Sequence, residues 1–205
     1  MLIDFDILFK TLFVLLLALI SPGPDFVMVL RNSLSFGRKA GLASAFGIAV
    51  GCLVSFSLVM LGLKILFNYH FIKGLMSLVC GAYLVYIGYT SIRNKTKHEH
   101  ISAQHTQSNS LASYFINGLM TNVFNPKLYT LVIAILTYTE QQHPSIVTNA
   151  AIVIGQAFMA LVWFSFVAFI LSYSKVQDAY LRKERMINTI IGFIFIIIGS
   201  KIMFG

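Results

Sequence analysis

Six stretches of about 20 apolar residues, set apart by short polar segments, leave this chain little choice but to fold in a lipid bilayer. They run over about 7–30, 41–63, 73–92, 112–138, 147–172 and 186–204. Of the 205 residues, 58% are hydrophobic and only 11% charged, whereas a soluble domain carries roughly a quarter charged residues. In hydrocarbon every main-chain amide must find its partner inside the protein, so such stretches fold as helices. The expected fold is an all-α integral membrane protein with six transmembrane helices.

A formal net charge of +8 raises nucleic acid or anionic lipid as partners, and the positions of the charges decide the matter. Arg31, Arg38 and Lys39 follow the first stretch, Arg93, Lys95 and Lys97 the third, and Lys175, Arg182, Lys183 and Arg185 the fifth. Of the intervening loops, one carries only Lys64 and Lys73, and the other has Glu140 and His143 as its only ionisable groups. Positively charged loops stay in the cytoplasm. Both termini are therefore expected outside, with the bilayer and not a nucleic acid as the macroscopic partner. Lys10 followed by an apolar run resembles a signal peptide, but Asp4 and Asp6 make the extreme end acidic. Pro-Gly-Pro also stands where a small-residue cleavage site belongs, so an uncleaved first helix is expected.

Two of the six stretches are interrupted by proline. Ser21-Pro22-Gly23-Pro24-Asp25 cuts the first and Asn125-Pro126-Lys127 the fourth. Proline removes a backbone donor and clashes with the preceding turn, which frees polar main-chain groups where bulk water does not reach. A shift of 104 positions lays Ser21-Pro22-Gly23 on Asn125-Pro126-Lys127 and Val50-Gly51-Cys52 on Ile154-Gly155-Gln156. Gly81 and Gly88 are seven apart, as are Gly192 and Gly199 in the last stretch. Three spans per half is an odd number, so the halves enter the membrane in opposite senses. The expected architecture is a 3+3 inverted repeat, 1–92 and 112–205, with broken first and fourth helices and a polar cytoplasmic linker over 93–111. Matched breaks of this kind point to a transport site.

Asp25 is the one acid deep in an expected span, about 9 Å from Arg31 by helical rise. It suits a helix N-terminal cap and equally a protonatable group coupled to transport. Lys127, roughly 15 Å or more from either end of the fourth span, is expected in a polar interior, facing Asp25, a substrate carboxylate or freed carbonyls. Asn117, Thr121 and Asn125 recur every four residues, and Asn149, Gln156 and Trp163 every seven, which keeps each set on one helical face. Such faces line an aqueous path or join helices by hydrogen bonds, with Asn125 and Gln156 the strongest path residues. Small residues at Ser44, Gly47, Gly51 and Ser55, with Gly81, Gly88, Gly192 and Gly199, mark close helix packing. The same faces would serve in a homodimer.

Two classes compete with transport of a small organic solute. His98, Glu99, His100 and His105 in the linker are suitable ligands for a divalent metal, though their spacing matches no defined site. Cys52 and Cys80 would serve a thiol-redox relay, but they lack counterparts in the other half, where Gln156 and Ile191 stand. No catalytic pair, phosphate loop, dinucleotide fingerprint or cofactor motif stands out, so the expectation is no enzyme and no cofactor.

Ser21-Pro22-Gly23-Pro24-Asp25, the glycine-rich stretch Gly41 to Gly51, Tyr83-Leu84-Val85-Tyr86-Ile87-Gly88, and Phe115 to Lys127 ending in Asn-Pro-Lys together resemble the lysine exporter family, also called LysE/RhtB. The resemblance covers nearly the whole chain, in order. It implies a bacterial inner-membrane secondary transporter that exports amino acids or related metabolites, run by proton antiport. It also implies that Pro22, Gly23, Pro24, Asp25, Asn125, Pro126 and Lys127 shape the substrate path. The position of Asp25 is Asn in some relatives, which weakens an obligatory proton role.

Overall fold

The computed structural model describes residues 2–21, 23–66, 70–93, 110–140, 142–171 and 173–204. Pro22 and nearly all of the expected linker, with His98, Glu99, His100 and His105, lie outside the described residues. Among the described residues there are eight α-helices and no strand: α1 (Phe5–Ile20), α2 (Pro24–Phe36), α3 (Arg38–Leu66), α4 (His70–Arg93), α5 (Leu111–Val123), α6 (Pro126–Glu140), α7 (Ile146–Phe166) and α8 (Ser174–Phe204). A π-helical turn, Val167–Leu171, extends α7.

Both interrupted stretches are broken in fact. The chain bends by 55° between α1 and α2 and by 54° between α5 and α6. Pro24 and Pro126 each become the first residue of a new helix, where the missing N–H would be unsatisfied in any case and the fixed φ suits the helix. At the other end of α2, Gly37 takes φ 87°, a left-handed conformation that glycine adopts without penalty, and the chain turns straight into α3. Asp4 starts α1 by accepting the Ile7 amide at 3.1 Å, and Ser145 starts α7 by accepting that of Thr148.

Three helices are long and apolar enough to cross a membrane unaided, over Arg38–Leu63, Ile146–Ile170 and Arg185–Phe204. Counting each bent pair as one span raises the number to five. α4 occupies the expected third stretch. The surface is apolar as well as the core: Phe9, Phe46, Phe158 and Ile197 are all more than half exposed. Apolar exposure on this scale would drive association in water and is the ordinary state of a lipid-facing wall.

α3 is central, packed on α2, α5 and α7, while α1 lies on α7, and α4 on both α8 and α6. One apolar cluster, around Ile48, Phe56, Leu136 and Ile152, fills the space between α3, α6 and α7. A second, around Leu84, Leu131, Phe195 and Ile202, joins α4, α6 and α8. Glycines set the closest approaches. A Cβ on Gly47 would collide with the Phe115 carbonyl across the α3–α5 contact, and one on Gly51 would lie 2.8 Å from the Asn122 side chain. Along α4 and α8 the fit is reciprocal. A Cβ on Gly88 would lie 2.5 Å from the Gly192 carbonyl oxygen, and one on Gly192 2.6 Å from that of Gly88. Gly81 and Gly199 repeat the arrangement one heptad away, at 2.7 and 2.6 Å.

Candidate functional site

The two breaks meet. Around them lies a half-open cavity of about 60 Å³, lined by Ser21, Gly23 and Asp25 from the first break and Asn125 and Lys127 from the second. α7 adds Gln156 and Phe164, α3 adds Phe56, and Leu15, Leu19 and Leu131 complete an apolar wall. Space of this size accommodates a few water molecules when polar groups face it.

Asn125 holds the second break in shape. Its side-chain oxygen accepts the backbone amides of Lys127 at 3.1 Å and Leu128 at 3.4 Å, an N-cap on α6. Its amide nitrogen stands 3.5 Å from Asp25 Oδ1. Asp25, 8% exposed, sits in the first turn of α2, where the helix dipole favours a negative charge. Its stronger hydrogen bond comes from Asn122 Nδ2, which donates to Oδ2 at 2.9 Å. The same amide lies 3.6 Å from Cys52 Sγ.

Lys127 occupies the second position of α6, where the dipole disfavours a cation. Its placement therefore needs another explanation, and the cavity supplies one. Lys127 Nζ donates to Ser21 Oγ at 3.2 Å across the two breaks, and its stem packs on Gly23, where a Cβ would lie 3.4 Å from Nζ. Asp25 and Lys127 both line the cavity, one from each break. Two further buried atoms, Gln156 Oε1 and Asn122 Oδ1, have no hydrogen-bond partner. An acid, a base and the amide side chain of Gln156 around one space form a set that a small zwitterion complements, since carboxylate, ammonium and a further polar group each find a counterpart.

Of the residues expected from the sequence, Gly23, Asp25, Asn125, Lys127 and Gln156 share this cavity. Pro24 lines an adjoining cleft with Asn117 and Thr121, and Asn149 instead donates to Glu140 at 2.6 Å near the loop between α6 and α7. Trp163 packs on the first cluster with its indole nitrogen buried and unpartnered. Cys52 is buried and Cys80 partly so, both as free thiols. Among the described residues no group of three His, Cys, Asp or Glu side chains could hold a metal ion.

Asn122, the principal partner of Asp25, escapes the sequence reading. A four-residue periodicity selects Thr121, but α5 ends at Val123, so Asn125 is no longer on that helix and the period does not carry across. The signal that was available is the second asparagine itself, polar within an apolar run three residues before the break.

The sequence profile of the LysE type translocator family matches residues 16–205. The chain belongs to this family. This LysE type translocator is 28% identical over 183 residues to the threonine efflux protein of Escherichia coli K12, covering 88% of this chain and 89% of that one. It is 26% identical over 190 residues to the threonine efflux protein of Salmonella typhi, covering 91% and 92%. An uncharacterized membrane protein of Haemophilus influenzae is 26% identical over 197 residues, covering 93% and 92%. No solved structure matches this translocator significantly. Family and apolar helices together make it a multi-pass membrane transporter of amino-acid-like small molecules, in a family of transporters and not of enzymes.

Proposed function

We propose that this chain exports a small neutral amino acid of the threonine type from the bacterial cytoplasm across the inner membrane, by proton antiport. The observation that carries the reading is the cavity where two proline-broken helices converge, lined by Asp25, Lys127 and Gln156, the last with its side-chain oxygen buried and unpartnered. Lys127 and the N-terminal turn of α2 receive the carboxylate, and Asp25 and Gln156 receive the ammonium and any further donor. The apolar wall of Phe56, Leu131 and Phe164 favours a small, largely apolar side chain over a second charge. Asp25 alternates between holding a proton and holding the substrate ammonium, so one proton enters as cargo leaves.

The transmembrane arrangement that goes with this reading has six spans, with α4 the third. Residues 1–92 and 112–205 form oppositely inserted repeats, 93–111 is a cytoplasmic linker and both termini are periplasmic. Packing supports it. Exchange of the halves turns the contact of α1 with α7 into that of α5 with α3, and turns the α4–α8 seam into itself. The exchange is not perfect, because α6 packs on α4 whereas α2 packs on α3 and the π-helical turn. Unequal packing of the two broken helices is what one end-state of an alternating-access cycle requires.

The test is counter-transport by the purified protein in liposomes preloaded with single amino acids: threonine, serine, valine, lysine and glutamate. Threonine efflux stimulated by an inward proton gradient is expected, with that stimulation lost in Asp25→Asn. Efflux of none of these would refute the assignment, and unchanged gradient dependence in Asp25→Asn would refute the coupling role.

A further inference from the structure

The inner cavity has a neighbour. Between α2 and α5 lies a cleft of about 600 Å³, lined among others by Gly23, Met28, Arg31, Asn32, Asn117 and Thr121. Gly23 lines both spaces, so at this point a residue without a side chain adjoins each of them, with the Lys127 ammonium close behind it. We propose that this cleft is a second amino-acid site, a cytoplasmic vestibule in which Arg31 takes the cargo's carboxylate before it passes Gly23 to Lys127.

The composition of the cleft calls for such a role. Its surface is mostly apolar, with Pro24, Val27 and Met28 in the lining, yet Arg31, Asn32, Asn117 and Thr121 from the two helices line it as well, and a polar or charged side chain at membrane depth is unfavourable unless it faces water or a partner. Asn32 is fixed, donating to Ser44 Oγ at 2.8 Å, and Thr121 Oγ1 donates to Met28 Sδ at 3.4 Å. Arg31 and Asn117 are exposed to the cleft. Neither makes a hydrogen bond or ion pair with the other described residues, so the guanidinium fork and an amide are open to a ligand. A guanidinium binds a carboxylate through two parallel hydrogen bonds, and an amide beside it suits the ammonium of the same zwitterion. The volume lies within the range of small-molecule sites. Arg31 and Lys127 then stand on either side of Gly23 as successive cations, and the carboxylate is handed from one to the other without crossing unpaired.

The inference rests on the export reading, and the experiment separates the two. Concentration dependence of L-threonine transport is measured for the full-length protein in phosphatidylcholine liposomes, with and without phosphatidylglycerol, threonine being supplied to the cytoplasmic face. Arg31→Gln is expected to raise the half-saturating concentration about tenfold, the loss of one charge-assisted contact, with less than a twofold change in maximal rate. Arg31→Lys recovers part of that loss, and Asn117→Ala raises half-saturation about threefold. If native protein moves threonine and Arg31→Gln leaves half-saturation unchanged, the vestibule is refuted and export stands. A change seen only with phosphatidylglycerol makes Arg31 a lipid anchor and also refutes it. If native protein moves no amino acid, both proposals fall.

Discussion

Replacing Asp25 by alanine and by asparagine separates the structural work of its carboxyl group from the work of its charge. In the native protein Asn122 Nδ2 donates to Asp25 at 2.9 Å, while Asn122 Oδ1 has no partner. Asp25→Ala leaves the fully buried Asn122 amide with nothing closer than Cys52 Sγ at 3.6 Å. Stranding a buried donor in this way costs about 1–3 kcal/mol, and the weaker 3.5 Å contact from Asn125 is lost as well. Asparagine at 25 still presents a carbonyl oxygen to Asn122 and no longer has to keep a charge out of water. Asp25→Asn should therefore fall within about 1 kcal/mol of native stability. The assay is unfolding in mixed detergent micelles titrated with denaturing detergent, followed by circular dichroism. The double variant Asp25→Ala, Asn122→Ala should be no less stable than Asp25→Ala alone, because it removes the stranded donor too. Equal losses for Asp25→Ala and Asp25→Asn, or strictly additive losses in the double variant, would refute this account of the pair.

Three further substitutions probe the scaffold. Gly88→Ala places a methyl group 2.5 Å from the Gly192 carbonyl and should destabilise by about 1–3 kcal/mol through overpacking. Gly62→Ala, with open space around it, should be neutral or stabilising by up to about 1 kcal/mol in the same assay. Gly37→Ala also meets no neighbour, but its φ of 87° makes a side chain strained, so a loss of about 1 kcal/mol is expected from backbone conformation alone.

Much of this was legible in the sequence because bilayer physics is severe. Apolar length fixes where helices lie, and proline inside such a length fixes where they break. The positions of Pro24 and Pro126 thereby located both bends, and the polar residues beside them, Asp25, Asn125 and Lys127, faced the cavity for want of any other polar place. What sequence periodicity could not supply was contact across helices. Asn122 reaches Asp25 because α5 stops one turn early and α2 starts beside it, a tertiary fact that a single-helix stripe cannot encode. Asn149 shares a face with Gln156, yet it serves Glu140 at the start of α7, because a shared face does not imply a shared depth.

The paired glycines of α4 and α8 also restrict how such a protein can move. Two backbone-to-backbone contacts a heptad apart, with Val85 and Ile196 wedged beside them, act like pegs in a ratchet. Sliding either helix by a single residue would drive a larger side chain into a main-chain carbonyl. These two long rods must then travel as one strut, and the opening and closing of the path falls to the short segments α2 and α6, which swing about their own proline joints.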